Sequence, residues 1–252
     1  MRNLMDAVRE RDPAAVESLL NDGVSPEEAN EDGTTPLYRA AVSGRADLVR
    51  LLLAYGADPN RPSEPPEEGL PLCAAACWNH IDVVSALLAA GADPDLPEPP
   101  HPQQHGPGTP PLLWAAGNGH LETVDLLLAA GADPNIEGAP LIRAARRGCC
   151  GIVRSLLAHG ADPGLADDEG NTAATIAAGL ADADLVTVLA EQAGWGEREY
   201  TVERSPAGDG TERITLRYED ADGRGGETSI QNGHGTIAAL LADTNGSATS
   251  IT

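Results

Sequence analysis

Four letters, Gly-Ala-Asp-Pro, recur in this chain of 252 residues, at positions 56–59, 91–94, 131–134 and 160–163. The glycines are 35, 40 and 29 residues apart. Self-similarity at such a period constrains the fold more than any composition value. It implies a stack of short supersecondary units, each too small to bury a core alone and each completed by its neighbours.

Aligning the chain on these glycines shows what the units are. Leu37, Leu72, Leu112 and Leu141 share one slot, each preceded by Pro. The pairs Ala40-Ala41, Ala75-Ala76, Ala115-Ala116 and Ala144-Ala145 share the next. Val49, Val84, Val124 and Val153 follow, and then the Leu pairs 52–53, 87–88, 127–128 and 156–157. Pro opens a first helix, where its missing N–H is not needed. Leu and Ala at i, i+3, i+4 form its apolar face. Gly44, Gly119 and Gly148, with Asn79 in the same slot, tolerate the left-handed backbone of a tight interhelix turn. A second, Leu-rich helix follows. Two degenerate copies flank these four. One contains Leu4, Ala7, Val8, Val16, Leu19, Leu20 and Gly23, and the other Thr172, Ala174, Ala177, Ala178, Leu185, Val186 and Leu189.

The stretches "TTPLYRAAVSGRADLVRLLLAYGADPN" (34–60) and "TPPLLWAAGNGHLETVDLLLAAGADPN" (109–135) resemble the ankyrin repeat. The resemblance covers about three quarters of the chain. It implies a mostly α fold, an ankyrin-repeat α-solenoid with β-finger loops, and a partner protein bound on the concave side. Where the family pattern has His after Pro-Leu, this chain has Tyr38, Cys73, Leu113 and Ile142. The expected repeats run over about 1–29, 30–62, 63–97, 104–135, 136–165 and 166–194, within a repeat domain 1–194.

The unequal spacing comes from the fingers. "RPSEPPEEG" (61–69) and "LPEPPHPQQHGPG" (96–108) are Pro-rich inserts, whereas "NIEGAP" (135–140) is short. Extended loops are expected there.

By helical period, the face opposite Leu37, Ala40 and Ala41 carries the residues that differ between repeats. Arg39, Trp78, Trp114, Asn118, Arg143, Arg146 and Arg147 lie there. Trp and Arg are enriched at interface hot spots, and the arginines of 143–147 suit an acidic segment of a partner. A competing reading pairs Arg146 and Arg147 with acids of the neighbouring finger and packs Trp114 between repeats.

A different pattern begins after Gly194. "REYTVERS", "TERITLRYED" and "ETSIQ" alternate polar and apolar residues and read as short strands. "HGTIAALLAD" (234–243) reads as a helix. The expected assembly is a small ββ(β)α module over 195–243, docked on the last repeat, with a disordered tail at 244–252. The segment "GHGTIAALL" also echoes "GHLETVDLLL" at 119–128, which leaves a decayed second helix of a repeat as the alternative.

Composition narrows the function. The net charge of −23 argues against nucleic acid and anionic membranes as partners. All 16 basic residues are Arg, and Phe is absent, a bias that suggests a bacterial source. No run reaches the ~18 apolar residues of a membrane span, and Cys73, Cys77, Cys149 and Cys150 lack framework spacing, so a reduced, cytoplasmic protein is expected; its oligomeric state stays open, with a monomer favoured. Neither cofactor nor metal site is expected. His101 and His105 stand alone, and His80 and His120 fall in the structural Gly-His slot. The expectation is a non-catalytic interaction protein, an adaptor or inhibitor. The alternative is an antitoxin- or immunity-type inhibitor whose acidic surface meets a basic toxin or nuclease.

Overall fold

The structure, a computed structural model, describes residues 3–63, 69–100, 108–137, 139–194, 200–219 and 225–247. The chain divides into two compact units, Met1–Asp133 and Pro134–Thr252.

The first unit is four helix pairs: α1 (Leu4–Arg9) and α2 (Pro13–Asn21), α3 (Pro36–Val42) and α4 (Ala46–Ala54), α5 (Pro71–Cys77) and α6 (Ile81–Ala89), α7 (Pro111–Asn118) and α8 (Leu121–Ala129). First helices stack on first helices, α1 to α3 to α5 to α7, and second helices on second helices, α2 to α4 to α6 to α8. The repeated slots form the core. Leu37, Ala40, Ala41, Val49, Leu52, Ala75, Ala76, Val84, Leu87, Leu112, Val124 and Leu127 are all buried. Paired alanines let successive first helices approach closely, and the leucines fill the layer between the two helix rows. Each buried Leu contributes about 1.5–3 kcal/mol of burial free energy.

The interhelix slot behaves as its residues require. Gly44, Asn79 and Gly119 have φ of +66°, +57° and +80°. Asn79 is held there by the next repeat, where the Thr123 hydroxyl donates to its Oδ1 at 2.9 Å. The residue that follows this slot ties successive repeats together. Nε2 of His80 donates to the Val42 carbonyl at 3.1 Å, and Nε2 of His120 donates to the Cys77 carbonyl at 3.1 Å.

The Gly-Ala-Asp-Pro segments form a ladder with the residue that follows each. Asn60 Nδ2 donates to the Gly91 carbonyl at 3.2 Å, and the Asp93 N–H donates to Asn60 Oδ1 at 2.8 Å. In the second unit, Asn135 repeats the pair with the Gly160 carbonyl and the Asp162 N–H. Between them Asp95 holds the asparagine slot, and it accepts from the Asp133 N–H at 2.9 Å but has no N–H to donate. Burial, then Asp133 and Asp93, raise the Asp95 pKa.

Asp95→Asn is therefore expected to stabilise the protein by about 1 kcal/mol at neutral pH, by adding a donor and removing a disfavoured charge. A raised carboxylate pKa makes the ionised form the costly one. The gain from charge removal is complete above the folded pKa and fades as pH falls through it towards the unfolded value. Urea midpoints of the two proteins at neutral and acidic pH check this, and a midpoint for Asp95→Asn at or below wild type at neutral pH would contradict it.

The second unit opens with α9 (Pro140–Arg147) and α10 (Cys150–Ala158), followed by α11 (Ala173–Leu180) and α12 (Leu185–Gln192). Then come β1 (Thr201–Pro206), β2 (Glu212–Glu219), β3 (Gly225–Gln231) and α13 (His234–Ser247). The strands form an antiparallel sheet of order β1-β2-β3, with Ile214 opposite Ile230 and Leu216 opposite Val202 and Thr228.

The sixth repeat is assembled differently from the sequence expectation. α11 stacks on α9, as a first helix should, but its helical partner is α13, which also packs on α10. α12 leaves α11 at 117° and packs on β2 and β3, where Leu189 and Ala190 join Ile214, Leu216 and Ile230 in a buried cluster. Residues 181–233 are thus an insertion between the two helices of one repeat.

The register of α13 fits this place. His234 Nε2 lies 3.2 Å from the Arg146 carbonyl, the contact that His80 and His120 make to Val42 and Cys77. A side chain on Gly148 would strike the His234 ring at 2.8 Å, just as one on Gly44 would strike the His80 ring at 2.8 Å. Ile237 and Leu241 are fully buried, at the His+3 and His+7 positions that Val83 and Leu87 hold after His80. Burial lowers the His234 pKa, in keeping with a neutral ring donating from Nε2.

Three expectations change accordingly. The second helix of the last repeat is 234–247 rather than 185–192. The tail module meets α9, α10 and α11 as well as α12, because its own helix is part of the stack. The expected disorder at 244–252 does not hold for 244–247, which continue α13; residues 248–252 lie outside the described ones.

Candidate protein-binding surface

In the first unit one variable position, Asn118, meets the end of α5, where another, Trp78, stands. Trp78, the residue that ends this helix, is 64% exposed. Asn118, at the end of α7, is half-buried, and its Nδ2 lies 3.4 Å from the Cys77 carbonyl and 3.7 Å from Cys77 Sγ. The Cys77 carbonyl also accepts from His120, so the residue before Trp78 is fixed by the following repeat. Trp114 is half-buried on α7, and its Nε1–H donates to Glu98 Oε2 at 3.1 Å. Arg39 is half-buried on α3, one repeat earlier.

Glu98 is the residue that sequence reasoning missed. It belongs to the finger insert 96–108, which offered only an acidic, Pro-rich composition. The Glu98 N–H donates to the Thr109 carbonyl at 3.3 Å, which closes the base of the insert. A side chain on Gly108 would collide with the Glu98 carbonyl, so only glycine fits there. Burial raises the Glu98 pKa, and the Trp114 hydrogen bond partly opposes it. Its charge in turn helps burial to raise the Cys73 and Cys77 thiols. Cys73 stands where the family pattern has His and keeps a weak version of the loop tether, with Sγ 3.5 Å from the Thr109 carbonyl and 3.7 Å from that of Leu96. The rest of this insert, 101–107 with His101 and His105, lies outside the described residues, as do 64–68 of the other.

In the second unit the three arginines of α9 have separate surroundings. Arg143 is exposed, and burial of its stem together with Arg146 lowers its pKa. Arg146 is paired with Asp167 at 2.7 Å, on the finger of the following repeat. Arg147 is half-buried under the sheet, with its Nη2 3.4 Å from Ser229 Oγ; burial, and to a smaller extent Arg213, lowers its pKa. The open three-arginine cluster expected from the sequence is therefore not formed. Asp167 neutralises one member and the inserted module covers another.

The insertion makes a further contact that spacing gave no hint of. Asp209, in the β1–β2 turn, accepts from the Gly151 N–H at 2.9 Å and from the Thr211 hydroxyl at 2.5 Å. It thereby caps the N-terminus of α10, whose own N-cap residue, Cys149, makes no side-chain cap.

Chemical reactivity is low at the thiols. All four cysteines are free. Burial pushes the Cys149 thiol up to about 12 and raises that of Cys150, so neither is a thiolate near neutral pH. Among the described residues no three His, Cys, Asp or Glu side chains gather as a metal site. Among them, too, no single helix is long and apolar enough to cross a membrane.

Comparison with known proteins places these features. A family model described as "Ankyrin repeats (3 copies)" matches residues 4–98 and 99–167. An ankyrin repeat domain from Acinetobacter baumannii superposes with a TM-score of 0.63 at 27% identity, covering 70% of this chain and 90% of that one. The human ASB11 ankyrin repeat domain gives 0.58 at 26% identity, covering 69% and 75%. Among curated proteins, the mouse 2-5A-dependent ribonuclease is 42% identical over 60 residues, 23% of this chain and 8% of the ribonuclease. The chain thus matches only a small part of that relative's length.

Proposed function

This chain belongs to the ankyrin repeat family, and on that premise we propose that it is a non-catalytic interaction protein, an adaptor or inhibitor that holds a partner protein on its first-helix faces and fingers. Ankyrin repeats are in general protein–protein interaction modules. The observation that carries the reading is Trp78. A large indole 64% exposed at the end of α5 contributes little to the stack, yet the carbonyl of the preceding residue, Cys77, is held by Asn118 of α7 and by His120. A rigid, exposed aromatic residue is what an interface hot spot requires. Arg39, Trp114 and Asn118 belong to the same unit and the same helix face. Arg143 is the arginine of α9 that remains available in the second unit; Arg146 and Arg147 contribute only if Asp167 and the sheet give them up. An acidic partner segment therefore has less to meet here than three free guanidinium groups would offer.

Inhibition of a basic protein is the second reading, favoured by the net charge of −23. Opposite charge accelerates encounter and rejects acidic competitors.

The test is co-purification with matched wild-type and Trp78→Ala baits. Loss of the indole is expected to weaken capture of the partner by more than about 1 kcal/mol while the unfolding midpoint stays within experimental error. If capture and stability fall together, Trp78 is a packing residue and the surface lies elsewhere.

A further inference from the structure

His234 holds the Gly-His position of the last repeat, yet its surroundings differ from those of His80 and His120. Those two rings are half-buried, so a charge on either can be met by water. The His234 ring is 1% exposed. Its Nε2 faces the Arg146 carbonyl at 3.2 Å. A carbonyl only accepts, so the proton of the neutral ring sits on Nε2. Nδ1 is buried and has no hydrogen-bond partner among the described residues. The inserted module closes the site. A side chain on Gly148 would strike both the His234 ring and the carbonyl of Gln231, where β3 ends.

The three helices packed against α13 carry no carboxylate. α9 has Arg143, Arg146 and Arg147, α10 has Cys150 and Arg154, and α11 has no ionisable group. Asp209, in the β1–β2 turn, is engaged by the Gly151 N–H and the Thr211 hydroxyl, and Asp167 by Arg146. Asp243 of α13 itself lies nine residues along the helix from His234, about 13 Å away in rise. Protonation therefore puts an N–H without an acceptor and a charge without a counterion into a buried place, a cost that lasts only while α13 is docked. Burial accordingly lowers the His234 pKa, with the Arg146 carbonyl partly opposing it. A folded pKa below the unfolded one favours the docked form above about pH 6.5. That preference falls with pH below this value, by up to about tenfold per unit for one proton, until the folded pKa is passed.

The cluster of Leu189, Ala190, Ile214, Leu216 and Ile230 includes no residue of α13, so α12 and the sheet have a core of their own. We propose that His234 is an acid-sensitive latch: protonation at Nδ1 undocks α13 from α9, α10 and α11 and opens the last repeat, while α12 and the sheet stay folded.

The experiment follows amide hydrogen exchange of the full chain at about pH 7.5 and about pH 5.5, expressed as protection factors so that the intrinsic pH dependence cancels. Protection of α11 and α13 is expected to fall by about tenfold at the lower pH, and that of β2 to change less than about twofold. His234→Gln keeps a donor at the Nε2 position and cannot be protonated, so it is expected to abolish the fall. His80→Gln, at the half-buried counterpart, is expected to leave the fall in place. Ring nitrogen chemical shifts of the wild-type protein supply a second measurement that needs no variant. They are expected to show His234 neutral with its proton on Nε2 at the higher pH, and protonated in step with the loss of α13 protection. Unchanged protection of α13, an equal fall in β2 or an equal fall in His234→Gln overturns the latch. So does a wild-type ring that carries its proton on Nδ1, or one that titrates out of step with α13. If His234→Gln does not fold, the wild-type shifts and protection factors decide the question by themselves.

Discussion

Leu241→Ala is expected to destabilise the second unit by about 2–5 kcal/mol, the cost of emptying a fully packed leucine site. Leu241 is completely buried, in a helix that closes the repeat begun by α11 and packs on α9 and α10. The surrounding helices are set by their own stacking and collapse only partly into the space. Ala239→Ser, on the exposed face of the same helix, is expected to change stability by less than about 0.5 kcal/mol. Amide exchange separates this site from the neighbouring cluster. Leu241→Ala should speed exchange in α10 and α11, whereas Leu189→Ala should speed it in β2, the strand α12 packs against. A Leu241→Ala protein as stable as the Ala239→Ser control would mean that α13 is an appendage and not the second helix of a repeat.

The same reasoning gives a comparable loss at Leu127. This side chain is fully buried in α8, which packs on both α6 and α7. Leu127→Ala is expected to cost about 2–5 kcal/mol in urea denaturation. Leu19 occupies the corresponding region of the first repeat, but it is only half-buried on α2. Leu19→Ala is therefore expected to cost less than half as much, since part of its surface already meets water. Equal costs, or a larger one at Leu19, would show that the two leucines do not hold the slots assigned to them.

The helix pairs themselves were legible because their signals are local. Pro at the first helical position, paired Ala, Gly or Asn at φ > 0 and a Leu-rich second helix each act within a few residues. Their recurrence placed α1 to α11 without any knowledge of tertiary contacts. The three strands were legible for the same reason, since alternation in "TERITLRYED" needs only a period of two. The face that carries Trp78, Trp114 and Asn118 also followed, because helical period alone decides which side chains oppose the core.

The partners of these elements were not legible. Two apolar helices, 185–192 and 234–247, follow α11, and proximity in sequence favours the first. The chain uses the second, because it brings a Gly-His pair that can reach the Arg146 carbonyl and an Ile and Leu at the matching core positions. That echo was present in the letters "GHGTIAALL", but an echo does not state which of two helices wins a slot. Arg146 and Arg147 read as free cations for a similar reason. Asp167 and Ser229, their partners, lie 21 and 82 residues away in sequence. Glu98 is the converse case. One glutamate in a Pro-rich insert has no pattern to mark it, and only the closure of the loop at Gly108 and Thr109 carries it to Trp114. The sequence by itself determined the repeating frame, because that frame is written in short-range conformational preferences. The tertiary structure alone decided which helix completes the last repeat and which charges remain available, because those are competitions between distant segments for the same place.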